Sequence, residues 1–260
     1  MPVRHSYPDG APCWADLTTA DLPAAQAFYG PILGWEFQDT GLNGYTMCLS
    51  GGRPAAGLMP PPPDGEQLSP VWNVYLSTSD LDAVYGKVAE AGGKPVFGPH
   101  DIPGAGRLAF AYDPTGGSFG LWQPAGHPGA AVHGEPGALC WHELNTPDGA
   151  RADAFFAALF PYRQQQIGDG GSFDYTVWRL PGSGEDEVCG RYRTSELPPS
   201  WTTYFGVTDA DHAAEQAAKL GGRPLREPFD SPYGRMAPCV DAVGAHVTFC
   251  RLPEGAPAGT

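Results

Sequence analysis

The 260-residue chain carries 29 acidic against 15 basic residues, a formal net charge of −14, which repels nucleic acid and anionic lipid and excludes both as expected partners. Glycine (36) and proline (29) are abundant, yet 42% of the residues are hydrophobic, a balance that argues for a loop-rich globular protein over a disordered one. No run of about 18 apolar residues could span a bilayer, and the polar start MPVRHSYPDG does not read as a secretory signal, so a cytoplasmic location is expected.

The strand-like start PCWADLTT leads into Asp21-Leu22-Pro23, an N-cap with a proline in the first turn, and then into AAQAFYGPILGW, whose apolar spacing is helical. Short extended pieces follow, QDTG, GYTMCLS and RPAAGLMP, and the proline run Pro60 to Pro63 links them to a second module. There VWNVYLST is a strand, Ser79-Asp80 caps the helix LDAVYGKVAEA, Gly92-Gly93 ends it, and KPVFGPH, GRLAFAYD and GSFGLWQP are strands. Both modules read β-α-β-β-β.

The whole pattern then returns. Cys13-Trp14-Ala15-Asp16-Leu17 is matched by Cys140-Trp141-His142-Glu143-Leu144, Phe28-Tyr29 by Phe155-Phe156, Trp72 by Trp201 and Gly106-Arg107 by Gly234-Arg235, an offset of 127 to 129 residues throughout. In the second copy, helices are expected over GARADAFFAALF and DADHAAEQAAKL, with strands at CWHELNT, FDYTVWRL, EVCGRYR, WTTYFGVT, RPLREPF, GRMAPCVD and AHVTFCRL. The spacing predicts an α+β protein of two tandem domains, 1–126 and 127–260, with the segment Pro124 to Pro136 as a hinge. Pairing the β-α-β-β-β modules makes a cupped mixed sheet in each domain, with helices on the convex side and a cavity on the concave side. Six cysteines stand apart with no CxxC spacing, so free buried thiols are expected and a zinc site is not.

These features resemble the vicinal oxygen chelate superfamily, which includes glyoxalase I, bleomycin-resistance proteins and extradiol dioxygenases. The resemblance is carried by Trp14-Ala15-Asp16-Leu17 with Asp21, Phe28-Tyr29 and Gly34-Trp35, by Ser79-Asp80-Leu81 and Gly92-Gly93, and by Asp113-Pro114-Thr115-Gly116-Gly117-Ser118-Phe119-Gly120-Leu121-Trp122. It covers almost the entire chain. The superfamily's metalloenzymes place a histidine on a module's opening strand and a glutamate on its closing strand. The matching positions here are Trp14, Asn73, Trp141 and Thr202 for the first, and Gly120 and Thr248 for the second, with Gly57 and Gly190 on the intervening strands. None is an imidazole or carboxylate, so no metal and no other cofactor is expected.

What strand alternation leaves on the concave faces is aromatic and polar. In the first copy these are Trp14, Asp16, Asn73, Tyr75 and Trp122, with Tyr45 beside them; in the second they are Trp141, Glu143, Asn145, Thr202, Tyr204 and Thr248, with Tyr175 and Trp178 nearby. Asp16 and Glu143 are matched acids beside tryptophan, and with His246, which shares a face with Thr248, they form the candidate catalytic set. His142 alternates with its neighbours and is expected to pack beneath a helix. Trp72 and Trp201 are expected in the core, and Arg107 and Arg235 as loop anchors.

Such walls suit a flat ligand. The expected function is metal-independent binding, as sequestration, of a small hydrophobic and aromatic natural product or antibiotic, by a monomer or homodimer. The alternatives are a metal-free isomerase, cyclase or lyase using Asp16 or Glu143 for proton transfer, and a glyoxalase- or dioxygenase-type metalloenzyme with displaced ligands. If only one cavity does chemistry, the second is expected to be the one, because it carries more ionisable groups.

Overall fold

The computed structural model describes residues 3–62, 69–181 and 187–253. The first copy runs β1 (Pro12–Thr18), α1 (Leu22–Leu33), β2 (Trp35–Asp39), β3 (Thr46–Ser50), β4 (Arg53–Met59), β5 (Val71–Ser77), α2 (Leu81–Glu90), β6 (Lys94–Ile102), β7 (Gly106–Tyr112) and β8 (Ser118–Pro124). The second runs β9 (Leu139–Thr146), α3 (Gly149–Leu159), β10 (Arg163–Gln166), β11 (Tyr175–Arg179), β12 (Glu187–Arg193), β13 (Ser200–Gly206), α4 (Ala210–Lys219), β14 (Arg223–Pro224), β15 (Phe229–Ser231), β16 (Gly234–Val240) and β17 (His246–Arg251). Each helix starts where an aspartate side chain accepts from the backbone N–H three residues on: Asp21 from Ala24, Asp80 from Ala83, Asp148 from Arg151 and Asp209 from His212. Of the connecting proline run, Pro63 lies outside the described residues.

Each copy builds one mixed sheet. The strand order is β2-β3-β4-β1-β5-β8-β7-β6 in the first and β10-β11-β12-β9-β13-β17-β16-β14 in the second, with β15 paired to β16. Opening strands pair in parallel with closing strands of their own module, as β1 with β4 and β13 with β17, while the two modules join through the antiparallel pairs β1–β5 and β9–β13. The sequence expects one strand over RPLREPF. Pro224 and Pro228 lack a ladder N–H, and the strand breaks into β14 and β15 with Leu225, Arg226 and Glu227 exposed between them.

The two copies meet across their helix-covered faces. Phe28 of α1 lies 6.4 Å from Phe249 of β17, Phe156 of α3 lies 5.2 Å from Phe119 of β8, and Trp35 meets Phe205 edge-on at 5.1 Å. One continuous buried cluster therefore spans both sheets. Trp72 and Trp201 both belong to it. All six cysteines are free and buried.

The segment expected to be a hinge is docked. Ala130 donates to the Cys13 carbonyl and Ala131 to that of Pro54, Tyr7 Oη donates to Ala130 O at 2.6 Å, and Ala130, Ala131 and Val132 are buried. Small side chains let this stretch lie flat on the first sheet, so its composition reflects close packing and not mobility. No helix among the described residues is long and apolar enough to cross a membrane.

Candidate functional site

Alternate residues of β9, β11, β12, β13, β16 and β17 face one side of the second sheet and line a cavity of about 830 Å³, within the size range of small-molecule sites. Trp141, Glu143, Tyr175, Tyr204 and Thr248 are on its wall. The residues between them, such as His142, Leu144, Thr203 and Phe205, are buried on the other side.

At its centre stands one carboxylate. Trp141 Nε1 donates to Tyr175 Oη at 2.9 Å, and the Tyr175 and Tyr204 phenols face Glu143 and favour its charged form. Burial pushes the Glu143 carboxyl up to about 7, against the opposing pull of those two phenols. A group poised there can give or take a proton near neutral pH. The first copy repeats the arrangement: Trp14 Nε1 donates to Tyr45 Oη at 2.7 Å, and Asp16 accepts from Tyr45 at 3.2 Å, Tyr75 at 2.9 Å and Asn73 Nδ2 at 2.9 Å. Burial raises Asp16 to about 6, with the bonds from Asn73, Tyr75 and Tyr45 opposing. Asn73 also donates to Thr18 Oγ1, and its match Thr202 instead accepts from Asn145 at 2.8 Å, so Glu143 lacks the amide donor that Asp16 has.

Despite this likeness one bowl is filled and the other open. In the first copy Trp14, Asp16, Tyr75 and Trp122 are all buried. His127 wedges edge-on against Trp14 at 4.5 Å and Trp122 at 5.9 Å, and Trp122 Nε1 donates to the His127 carbonyl at 2.9 Å. Phe110 closes on Tyr75 at 5.3 Å. At the matching places the second copy has Cys250 for Trp122 and Pro238 for Phe110, and both line its cavity. Removing two rings' volume is what opens the space. Replacement of His127 by alanine should make Trp14 accessible, read as increased acrylamide quenching of tryptophan emission, for a stability cost of about 1 kcal/mol.

Other sequence-picked residues fall elsewhere. Trp178 is not a cavity residue: it is fully buried on the helix side, donating to Asp153 Oδ1 at 2.8 Å and packing on Phe156. The register explains this, since Tyr175 and Val177 face the cavity and Trp178 must alternate away. His246 is exposed at the start of β17, opposite Val240, and is not beside Glu143. Asn145 and Thr202 bond to each other at the edge of the bowl, outside the cavity lining. His142 lies on the buried side as expected, its Nδ1 3.5 Å from Thr203 Oγ1, and burial holds it down at about 3. Arg107 and Arg235 are anchors, paired with Asp82 and Asp101 and with Asp211 and Asp230. Sequence reading missed Phe173, Tyr192, Arg226, Phe229 and Cys250 on the cavity wall. Comparing the copies ring by ring at the repeat offset would have found the exchange of Trp122 for Cys250.

The superfamily's metal does not fit these donors. Asp16 faces Gly57 and Asn73 across the sheet, and Glu143 faces Gly190 and Thr202. A side chain at Gly57 or Gly190 would overlap the hydroxyl of Tyr45 or Tyr175, so phenols occupy the space that ligands from those strands would need. Asp16 is already the acceptor of phenol hydrogen bonds and Glu143 is faced by two phenols, and among the described residues no three His, Cys, Asp or Glu side chains converge as a metal site would require.

Comparison with known proteins agrees with this architecture. Residues 13–120 match the Glyoxalase/Bleomycin resistance protein/Dioxygenase superfamily. The chain is 38% identical over 251 residues to "Putative glyoxylase CFP32" of Mycobacterium tuberculosis, covering 94% of this chain and 96% of that protein. It is 34% identical over 270 residues to "Anthracycline biosynthesis protein DnrV" of Streptomyces peucetius, covering 97% of each. Among solved structures, the Mn(II)-bound glyoxalase from Novosphingobium aromaticivorans shares the fold with a TM-score of 0.66 at 18% identity, over 94% of this chain and 82% of that one. With the tandem sheets, the matched profile and relatives alike over nearly their whole length, the chain belongs to the glyoxalase/bleomycin resistance/dioxygenase superfamily.

Proposed function

We propose that the second bowl binds a flat, polycyclic aromatic natural product without the help of a metal ion, and that the first bowl is its scaffold. The observation that carries this is the 830 Å³ cavity walled by Trp141, Tyr175 and Tyr204 around Glu143. Aromatic walls offer rigid contact area to a planar guest, and the phenols and carboxyl set its orientation. Relatives named for anthracycline biosynthesis support a fused-ring ligand and a place in natural-product metabolism. The test is calorimetric titration with anthraquinone. Saturable binding at one equivalent is expected, and Cys250→Trp, which restores the ring found at Trp122, should abolish it. Unchanged binding by that variant would locate the ligand elsewhere.

A second reading is favoured by the Glu143 carboxyl standing near 7. Glu143 would then move a proton on the bound molecule, as an isomerase or cyclase requires. Ligand recovered chemically unchanged after incubation supports binding alone. Turnover that survives Glu143→Gln rules the proton-transfer reading out.

A further inference from the structure

Glu143 is not the only charged group on the cavity wall. Arg226 is the one lysine or arginine among the described lining residues, and it stands at the exposed rim with Ile167, Phe173 and Tyr233. It is there because the chain leaves the sheet after Leu225, whose N–H still reaches the Pro238 carbonyl, and rejoins it only at Phe229 beyond Pro228. Its guanidinium carbon lies 4.1 Å from the centre of the Phe229 ring. That stacking fixes the direction of an otherwise mobile side chain while leaving its N–H fork free.

The rest of the chain leaves this cation unspent. Most other arginines in the two sheets are tied to carboxylates, Arg191 to Asp153 and Asp174, Arg193 to Asp174, and Arg235 to Asp211 and Asp230. Asp230, four residues from Arg226, is taken up by Arg235, and no carboxylate among the described residues pairs with Arg226. In a chain of net charge −14, an arginine without an acid partner, held by a ring over a cavity mouth, is a receptor for an anion coming from outside. Apart from Glu143, His133, Ser231 and Thr248, the wall is mainly aromatic and aliphatic, which suits an anion carried on an apolar ring system.

We propose that Arg226 receives a carboxylate of the ligand, so that the second bowl takes a planar aromatic acid with its rings against Trp141 and Tyr175 and its anionic edge at the rim. The inference rests on the binding reading above and adds the ligand's charge and orientation to it. A neutral, uniformly apolar guest would leave the guanidinium without a role, and a cationic one would be repelled by it.

The experiment compares anthraquinone-2-carboxylate with anthraquinone-2-carboxamide, which have the same rings and differ in charge, by titration at low ionic strength. The wild type should bind the acid about fivefold more tightly, the size of a partly exposed charge-assisted pair, and the preference should shrink as salt is added. Arg226→Gln should bring the two within about twofold of each other by weakening the acid far more than the amide, and Arg226→Lys should retain part of the preference. Equal affinities in the wild type, or a preference that survives Arg226→Gln, would overturn the assignment and leave the cavity reading standing. Failure of the wild type to bind either compound overturns both.

Discussion

Tyr29→Phe should lower the unfolding free energy by about 2–3 kcal/mol, the cost of stranding two buried polar groups at once. Trp72 Nε1 donates to Tyr29 Oη at 2.8 Å, and Tyr29 Oη donates to Asp241 Oδ2 at 2.7 Å, joining β5 and α1 of one copy to the β16–β17 turn of the other. Asp241 spends its other oxygen on the backbone N–H groups of Val243, Gly244 and Ala245, so nothing else reaches Oδ2. Denaturant unfolding measures the effect directly. The repeat supplies the mirror experiment. At the matching places stand Trp201, Phe156 and Asp113, with Phe156 edge-on to Trp201 at 5.7 Å as Tyr29 is to Trp72 at 5.4 Å. Lacking the phenol oxygen, Trp201 Nε1 and Asp113 Oδ2 are both buried without a partner. Phe156→Tyr should therefore raise stability by about 1–2 kcal/mol. A loss instead would mean that the ring edge has no room for a hydroxyl.

Glu143→Gln should stabilise the fold by about 2–3 kcal/mol more at pH 8 than at pH 5. Burial raises the folded-state carboxyl from 4.5 to about 7, so the native protein holds a proton that the unfolded chain has released. The stabilising share of Glu143 is complete below the unfolded value of 4.5 and is lost as the pH rises through about 7; glutamine, always neutral, loses nothing there. Tyr175 and Tyr204, which face the carboxyl, are both driven upward, first by burial and then by the Glu143 charge, and do not titrate in this window. The wild-type curve alone would hide the effect. Burial depresses His133 and His142 to about 3, so both remove stability as the pH falls below the unfolded imidazole value of about 6.5. The difference between variant and wild type cancels them. A pH-independent difference would mean that Glu143 is solvated and carries no raised carboxyl.

Much of the fold was legible because the duplication spelled it out twice: Asp21 and Asp80 read as helix caps, the structure adds Asp148 and Asp209 at the matching places, and the strand order of the first copy recurs in the second. The candidate site was legible only in part. Trp141, Glu143, Tyr204 and Thr248 follow from period-two alternation on strands whose register is pinned by one buried face. Trp178 was misplaced because it was assigned by nearness to Tyr175 without its phase along β11. Arg226 and Phe229 were invisible because they reach the cavity through a strand that prolines interrupt, a tertiary outcome with no periodic trace. The docking of residues 130–132 was hidden for the opposite reason, since alanine and glycine serve close packing and flexible linkage alike.

Because the rim residues Phe173, Arg226 and Tyr233 lie on exposed turns of one copy, while the rings that lock the halves together face the reverse side of the sheets, the proposed guest selection and structural integrity would draw on different residues. If the bowl binds as proposed, descendants of such a chain could exchange their guest by altering a few exposed positions, without renegotiating the joint that keeps the duplicated halves as one body.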